Sequence, residues 1–442
     1  MLYSNGDLRK LIIPLVLEQL LALLVGMADT IMIAAVGEAA VSGVSLVDTV
    51  NILIINIFVA FGTGGAVVSG HFLGQKDPEN AGRAAWQVNL FSAAAAFVVT
   101  VIFLVFHDGL MRLMFGKVDA LVMYNAKEYL IITAFSIVPL AVYNACAAQF
   151  RAMGDSRTTM WIALLMNIMN IGGNALLIYV VKLGTAGAAI STTVSRTAAA
   201  AIIFLLMFRK KRAVNFRGKV TFRFQVGMIK KILYIGIPNS LENSLFQLGK
   251  ILTLSMVATY GTYSITANAV CNTLAAFNNL PAIAINGAIL AIVSVCIGAG
   301  KPEQARYYTK KLMLIANVCL VAMSALILIG GRWIIGFYNV SPETMNLAVE
   351  VLRYHAIMTV IFWIPSFSLP NAFRAAGDVV WPMAIAIFSM WVFRLGFSYL
   401  LGTFFSWGLI GIWVAMSADW IFRAVCYLIH FRGNKWERKF LK

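Results

Sequence analysis

The sequence has 442 residues, of which 61% are hydrophobic and only 12% are charged, and its mean hydropathy is +0.84. A soluble domain is closer to half apolar and a quarter charged, so this composition excludes a soluble domain and predicts a membrane protein. The net charge of +17 is concentrated in a few segments between apolar runs, which argues against a nucleic-acid partner.

Twelve apolar runs follow along the chain, and each is long enough to cross a bilayer as a helix of about 20 residues. No cleavable signal peptide is evident at the N-terminus, so we expect the first run to direct its own insertion. We therefore expect an all-α integral membrane protein with spans at 11–34, 46–72, 86–107, 124–147, 158–181, 186–208, 229–258, 268–298, 306–329, 346–373, 380–402 and 407–430.

The two halves of the chain repeat the same residues at one offset of 224 positions. The first half carries Pro14, Glu18, Gly37 and Gly74, and the second carries Pro238, Glu242, Gly261 and Gly298. The segment 151–155 recurs at 374–378 one residue out of step, and Gly184 and Gly187 return as Gly408 and Gly411. Such a repeat predicts a transporter with two similar halves and a site between them.

Six spans in each half give both halves the same polarity, so we expect two six-helix lobes related by a pseudo-two-fold axis along the membrane normal. The predicted domains are an N-lobe at 1–208, a cytoplasmic basic linker at 209–228 and a C-lobe at 229–442 that ends in a short basic tail. By the positive-inside rule, both termini lie in the cytoplasm, and the protein is a multi-pass protein of the cytoplasmic membrane. The region around the linker holds Arg209, Lys210, Lys211, Arg212, Arg217, Lys219, Arg223, Lys230 and Lys231.

The loops at 74–81 and 298–305 match between the halves. In each loop a glycine ends one helix, and a Pro-Glu pair can begin the next. The matched Arg151–Asp155 and Arg374–Asp378 segments also lie at helix ends, where we expect an Arg–Asp clamp or a helix cap.

Acidic residues within spans need a partner, a proton or water, because a charge at mid-bilayer costs at least about 2.5–3.5 kcal/mol. Asp29 follows Glu18 by three helical turns, which places both acids on one face about 16 Å apart. We expect both to face a cavity, and the repeat partner Glu242 strengthens the case for Glu18. The alternative for Asp29 is an acid near the outer interface that is hydrogen-bonded to a neighbouring helix. The intramembrane acids are Glu18, Asp29, Asp48, Glu242 and Asp419, and Asp419 is expected to pair with Arg423 four residues later.

Amide side chains form stripes on three predicted helices, where they are either interhelical hydrogen bonds or the lining of a cavity; we favour the lining. The seventh span also carries Lys250, which should need an acid such as Glu242, Glu18 or Asp48. A structural ion pair and a gating role for this lysine both stay open. The stripes are Asn239 and Asn243, then Asn167, Asn170 and Asn174, then Asn268, Asn272 and Asn279.

A few further side chains are candidates for the cavity. His355 is either a proton-responsive group, because imidazole titrates near neutrality, or a structural residue. Tyr143 is one of several aromatics that could stack on flat substrates and attract cations, and a core role is the alternative. Arg196 and Arg394 are expected to be structural or to extend toward the interface.

Three segments together resemble the multidrug and toxic compound extrusion (MATE) transporters, and most closely their DinF-like branch. They are the run 27–37 after Pro14, the Arg-Ala-x-Gly-Asp motif after the fourth and tenth spans, and the run 187–192. The resemblance implies twelve helices in two lobes and the export of amphipathic, often cationic compounds in exchange for H+ or Na+. By position, Asp29 matches the first-helix acid that is tied to cation coupling, and Asn170 and Thr192 match polar members of the cluster around it.

Some positions depart from the family pattern. Many relatives carry Asp at the position of Asn174, and the acid of the sodium-coupled branch's tenth helix is missing, since 351–373 contains none. Glu242 also lies closer to the proline of its helix than the acid of that branch does. We therefore expect coupling to H+ rather than Na+.

The complete prediction is a secondary active multidrug efflux antiporter that works by alternating access, without a cofactor or metal, on small-molecule substrates. We expect a monomer in the lipid bilayer, because two lobes need no further partner. The alternative is a lipid or lipid-linked oligosaccharide flippase of the same superfamily, which would need a basic cleft for pyrophosphate, and only Lys250 clearly supplies charge. A membrane enzyme would need metal-binding acid pairs or a nucleophile–base set that the sequence lacks. The assigned cation-coupling residues are Asp29, Glu18, Asn170, Asn174 and Thr192, and the assigned substrate-cleft residues are Glu242, Asn243, Lys250, Asn272, Asp48, Tyr143 and His355.

Overall fold

A computed structural model describes residues 2–116, 118–338 and 340–438, and within these ranges the chain forms helices joined by short turns and no β-strand. Contacts divide it into an N-terminal unit, Tyr3–Ser240, and a C-terminal unit that begins at Leu241. The predicted all-α membrane fold is confirmed.

The N-terminal unit is built from seven helices in the described part of the chain and the first part of an eighth. Polar side chains satisfy the first backbone N–H groups of several of them: Ser4 accepts from the amide of Asp7 over 3.2 Å and Asp77 from the amide of Asn80 over 3.0 Å. The helices are α1 (Asn5–Ala34), α2 (Glu38–Gly74), α3 (Pro78–Phe115), α4 (Ala120–Ala134), α5 (Ile137–Ala152), α6 (Ser156–Asn174) with a π-helical extension (Ala175–Val180), α7 (Gly184–Leu206) and α8 (Val226–Ala258).

The C-terminal unit begins inside α8 and repeats the same order of elements. The predicted loop geometry is confirmed in both halves, because α2 and α9 end at Gly74 and Gly298 and the following helices begin at Pro78 and Pro302. Its helices are α9 (Thr262–Gly298), α10 (Pro302–Gly336), α11 (Pro342–Met358), a π-helical segment (Thr359–Ser368), α12 (Leu369–Ala375), α13 (Val380–Ser389), π-helical segments (Met390–Gly396, Ser398–Phe404) and α14 (Gly408–Arg432).

The helices account for the twelve predicted spans. In the described residues, ten helical stretches are long and apolar enough to cross a membrane, and the bent pair α4 and α5 makes an eleventh. The remaining span is α8, whose 33 residues include Lys230, Lys231, Glu242 and Lys250. Its polarity, rather than its length, sets it apart from the others.

The fourth span, predicted as one run at 124–147, is broken in the structure. Between Ala134 and Ile137 the two helices α4 and α5 meet at an angle of 53°. Pro139 lacks the backbone N–H that would bond to the carbonyl of Phe135, which removes the hydrogen bond across the break. At the break, the hydroxyl of Ser136 donates to the carbonyl of Thr133 over 2.7 Å.

The repeated glycines have the same two roles in each unit. Gly184 and Gly408 begin α7 and α14 with φ angles of +60° and +57°, in the left-handed region that favours glycine. Gly187 and Gly411 let a neighbouring backbone approach: a Cβ at Gly187 would lie 3.1 Å from Leu177, and one at Gly411 would lie 2.8 Å from the backbone of the preceding span. The duplicated sequence therefore encodes duplicated packing.

The basic segment predicted as a linker packs on the N-terminal unit. The indole of Trp86 donates to the carbonyl of Thr221 over 2.7 Å, and the amide of Gln87 donates to the carbonyl of Arg223 over 3.1 Å. Val214 and Phe216 are fully buried in the core of that unit. These contacts make the linker part of the N-terminal unit, which extends to Ser240 in the structure.

Candidate functional site

The centre of the site in the N-terminal unit is the carboxylate of Asp29, which lies half-buried on α1. Asn174, the last residue of α6, donates from its amide nitrogen to Oδ1 of Asp29 over 2.7 Å. Asn170, oriented so that both ends of its amide are satisfied, donates to the same oxygen over 2.7 Å and accepts from the hydroxyl of Thr192 over 3.2 Å. The structure therefore brings four of the five predicted coupling residues together.

Local packing fixes the two amides. They are one helical turn apart on α6, so both side chains leave the same face of that helix, which packs against α1 and α7. The hydroxyl of Ser191 on α7 donates to the backbone carbonyl of Asn170 over 2.7 Å. Asn170 and Asn174 are only 6% and 1% exposed, so their amides have little freedom to turn away from the carboxylate.

Asp48, which the sequence analysis placed in the substrate cleft, belongs to the same cluster. It is within electrostatic range of Asp29, and Arg196 of α7 acts on both carboxylates. Arg196 itself donates to the hydroxyl of Ser136 over 3.1 Å at the break between α4 and α5. Tyr129, which the sequence analysis missed, is buried beside Asp48. None of the ion pairs in the described part of the chain includes Asp29 or Asp48.

Glu18 makes different contacts from Asp29. Its two carboxylate oxygens accept from the guanidinium of Arg151 over 2.7 Å and from the hydroxyl of Thr159 over 2.9 Å. Tyr143, another predicted cleft residue, is buried beside this ion pair within the core of the N-terminal unit. Glu18 is therefore the acid of a structural clamp between α1, α5 and α6.

The same clamp recurs in the C-terminal unit. Arg374 donates to Glu242 over 2.6 Å and to the side chain of Asn371 over 3.0 Å. The Arg of each Arg-Ala-x-Gly-Asp motif thus binds the acid of the first helix in its repeat, and not the Asp of its own motif as the predicted Arg–Asp clamp required. The Asp residues have other partners: Asp155 caps α6, as the alternative prediction stated, and Asp378 contacts His430 over 2.7 Å.

Asp155 lies outside the membrane-spanning helices. Burial raises the pKa of its carboxyl group, but hydrogen bonds from Arg212 and Thr158 lower the pKa more, so that the pKa lies below the ordinary value of 3.8. The ionised form is thus the one that the folded protein favours.

The acid partner expected for Lys250 is not found in the described part of the chain. Glu242 is held by Arg374, and the charged group that acts on Lys250 is another cation, Arg394. The ammonium group lies 5.1 Å from the centre of the Phe246 ring. Within the C-terminal unit, the candidate partner Glu242 is therefore not the counter-ion of Lys250.

The remaining cleft candidates are distributed over the C-terminal unit. His355 is 2% exposed, lies between the rings of Trp413 and Trp420, and meets the hydroxyl of Thr359 over 3.3 Å. Asn272 donates back to the carbonyl of Asn268 over 2.9 Å, and Asn243 is half-buried on α8.

The predicted pair of Asp419 and Arg423 is confirmed, with 2.7 Å between Nε and Oδ1. The same carboxylate also faces Arg394 over 3.9 Å, a contact between residues too far apart in sequence for a spacing argument to find. The sequence analysis therefore missed that two arginines, Arg423 and Arg394, share the carboxylate of Asp419.

Comparison with known proteins agrees with this architecture. The MatE family model matches residues 14–176 and 238–400, two stretches that begin at the same offset as the internal repeat. A probable multidrug resistance protein NorM of Thermotoga maritima is 25% identical over 437 residues, which cover 98% of this chain and 93% of that protein. The uncharacterized transporter YisQ of Bacillus subtilis is 28% identical over 436 residues, covering 96% of this chain and 94% of the relative.

Solved structures share the fold. A multidrug resistance MATE family transporter of the MOP superfamily, in an outward-facing conformation, matches with a TM-score of 0.90 and 20% identity over 96% of this chain and 94% of that chain. A MOP superfamily transporter from Pyrococcus furiosus matches with the same TM-score, identity and coverage. With both halves matched by the family model and a MATE fold over nearly its whole length, the chain belongs to the MatE family of multi-pass membrane transporters.

Proposed function

We propose that this protein is a secondary active multidrug efflux antiporter, which exports amphipathic, often cationic small molecules in exchange for H+. The observation that carries this proposal is the contrast between its intramembrane acids. Glu18 and Glu242 are each neutralised by an arginine, whereas Asp29 is held by two neutral amides. An acid inside the membrane without an ion pair needs a proton, a cation or water, and the first two are what an antiporter exchanges.

The proposed cycle alternates between these two states of the carboxylate. Ionised Asp29, with Asp48 nearby, attracts a cationic substrate from the inside. After the substrate leaves outside, a proton neutralises Asp29 and favours the return step. A one-for-one exchange of H+ for a monovalent cation moves no net charge, so the pH gradient rather than the membrane potential drives this cycle.

The surroundings of Asp29 favour H+ over Na+ as the coupling ion. Hard cations such as Na+ prefer oxygen ligands, and usually several anionic ones. Asn170 and Asn174 instead direct N–H donors at the carboxylate. A proton requires only the carboxylate itself, so this donor set supports proton exchange.

The same proposal covers the cellular setting. The protein would work as a monomer in the cytoplasmic membrane, with both termini in the cytoplasm, with small molecules and lipid as its only partners, and without a cofactor. The related proteins named as multidrug resistance proteins support the breadth of the substrate range.

The test is efflux activity in everted membrane vesicles, measured as ethidium accumulation in the lumen, first with the pH gradient collapsed and then with the Na+ gradient collapsed. We expect efflux to stop only when the pH gradient is lost. Asp29→Asn should abolish gradient-driven efflux, and Glu79→Gln, which changes an exposed acid, should leave it unchanged. Full efflux by Asp29→Asn, or efflux that follows the Na+ gradient, would contradict the proposal.

A further inference from the structure

Three cationic side chains surround one aromatic ring in the C-terminal unit. The ring of Phe246 on α8 lies 4.9 Å from the guanidinium of Arg394, 5.1 Å from the ammonium of Lys250 and 5.9 Å from the guanidinium of Arg423. These residues come from three separate spans, so the fold and not the local sequence brings them together. Cations attract ring faces, but a ring does not neutralise them.

The charges in this cluster do not balance. Asp419 is the one acid that the described ion pairs place there, and it is shared by Arg423 at 2.7 Å and Arg394 at 3.9 Å. Lys250 has no acid partner in the described residues. The region therefore carries excess positive charge within the membrane-spanning part of the unit, which is costly unless an anion is present.

Unused hydrogen-bond groups lie in the same cluster of rings. The rings of Phe246 and Phe367 are 6.3 Å apart, and those of Phe367 and Trp420 are 5.8 Å apart. The indole nitrogen of Trp420 is buried without a hydrogen-bond partner, and so is Nδ1 of neighbouring His355. A buried donor without a partner costs about 1–3 kcal/mol, which an acceptor supplied by a ligand would recover.

Exposure differs among the three cations. Arg394 and Arg423 are 6% and 2% exposed, whereas Lys250 is exposed and Phe246 is half-buried. A ligand can therefore reach the cluster from the side of Lys250, place an anionic group near the guanidinium groups and lay a flat ring on Phe246.

We propose that Lys250, Arg394 and Trp420 form a binding site for an organic anion, namely a carboxylate or phosphate attached to an aromatic or other apolar body. The site deepens the proposed function, on which it rests only in treating the ligand as a transported compound. It adds compounds that carry a carboxylate or phosphate, zwitterions among them, to the cationic substrates of the proposed function.

Binding to the purified full-length protein in detergent tests the site without any gradient. Isothermal titration would compare norfloxacin, which carries a carboxylate and an amine, with its methyl ester, which keeps only the amine. We expect the ester to bind about tenfold more weakly, and Lys250→Met to weaken norfloxacin binding about tenfold without affecting the ester. Lys250→Arg should restore binding, and Lys301→Met, a loop variant of the same unit, should bind like the wild type.

A second variant separates binding from folding. Trp420→Phe keeps the ring and removes the N–H group, so it should weaken norfloxacin binding several-fold without lowering the melting temperature. Equal affinity of norfloxacin and its ester for the wild type, or wild-type affinity in Lys250→Met, would overturn the site.

Two further arms distinguish the source of the anion and the two proposals. Displacement of norfloxacin by phosphatidylglycerol but not by phosphatidylcholine would assign the site to a lipid phosphate, and displacement by neither would assign it to soluble compounds. Asp29→Asn should retain Lys250-dependent binding. If its efflux is also retained, the coupling proposal fails while the anion site stands.

Discussion

The guanidinium of Arg151 donates to the carboxylate of Glu18 over 2.7 Å and so joins the end of α5 to α1. One repeat later, Arg374 makes the same contact with Glu242 over 2.6 Å. Because this ion pair occurs in both halves and lies away from the residues around Asp29, we interpret it as structural. Removing one member leaves the other with an uncompensated charge, which is the costly way to break such a pair.

Glu18→Gln should therefore lower the free energy of unfolding by about 2 kcal/mol while leaving efflux per folded molecule nearly unchanged. Thermal unfolding in detergent and vesicle efflux measure the two effects. Glu79→Gln is the matched control, because its pair with Arg83 is exposed and should contribute about 0.5 kcal/mol or less. A Glu18→Gln variant with normal stability but no efflux would contradict the structural role and show that Glu18 takes part in cation coupling.

Asn174→Asp should make transport responsive to Na+. The substitution replaces an amide donor, 2.7 Å from Asp29, with a second anionic oxygen ligand. A carboxylate at this contact distance from Asp29, added to the nearby Asp48, gives the several anionic oxygen ligands that hard cations prefer. The measurement is ethidium efflux after an imposed Na+ gradient, in which the wild type and Asn174→Ala should show no response. Equal Na+ insensitivity in all three proteins would show that the amide does not set ion choice.

Adding a methyl group at the repeated glycines should destabilise the protein in the order of the space available. Gly411→Ala should cost about 2 kcal/mol, because its Cβ would lie 2.8 Å from the neighbouring backbone. Gly187→Ala, at 3.1 Å, should cost less. Gly172→Ala, with nothing within 4 Å, should be neutral or stabilising, because alanine is the better helix former. Melting temperatures of the three variants test this order, and a larger loss at Gly172 would contradict the packing argument.

The ion pair of Asp155 and Arg212 should contribute stability that depends on pH. Since the pKa of Asp155 is lower in the folded than in the unfolded protein, its contribution is full above the ordinary value of 3.8 and is lost as the pH falls through the folded value. Asp155→Asn keeps a good helix cap and removes the charge, so it should cost about 1 kcal/mol at pH 7. Melting curves from pH 7 to pH 3 should show the wild type and the variant converging, and a constant difference would contradict the assignment.

The spans and the repeat could be predicted from local sequence pattern, whereas the grouping of Asn170 and Thr192 around Asp29 was implied by the resemblance to the MATE transporters. Apolar runs of sufficient length specify the helices, and the spacing of Asn170 and Asn174 places both on one face of α6. Pro139 within the fourth span predicts a bend or a break in that helix, and the structure shows the break between Ala134 and Ile137. Proline marks a lost hydrogen bond, but sequence alone does not fix whether the helix bends or separates.

Pairings between distant residues could not be predicted in the same way. Glu18 and Arg151 are 133 positions apart, and spacing offers no reason to join them. The cationic surroundings of Phe246 depend equally on packing, since Arg423 was predicted only to pair with Asp419 and Arg394 only to be structural or to extend toward the interface. The sequence predicts that a charged residue within a span needs a partner, but only the tertiary structure determines which residue that partner is.

The Glu–Arg clamp occurs in both halves, whereas the charged residues of the two candidate sites are not repeated. At the same offset of 224, Asp29 corresponds to Thr253, Asp48 to Asn272 and Lys250 to Gly26. Both halves therefore keep the same structural clamp, whereas the acids Asp29 and Asp48 occur only in the first half and the cation Lys250 only in the second. A chimera made of two first halves would keep the clamp in both halves but would lack Lys250, and with it the difference in charge between the halves.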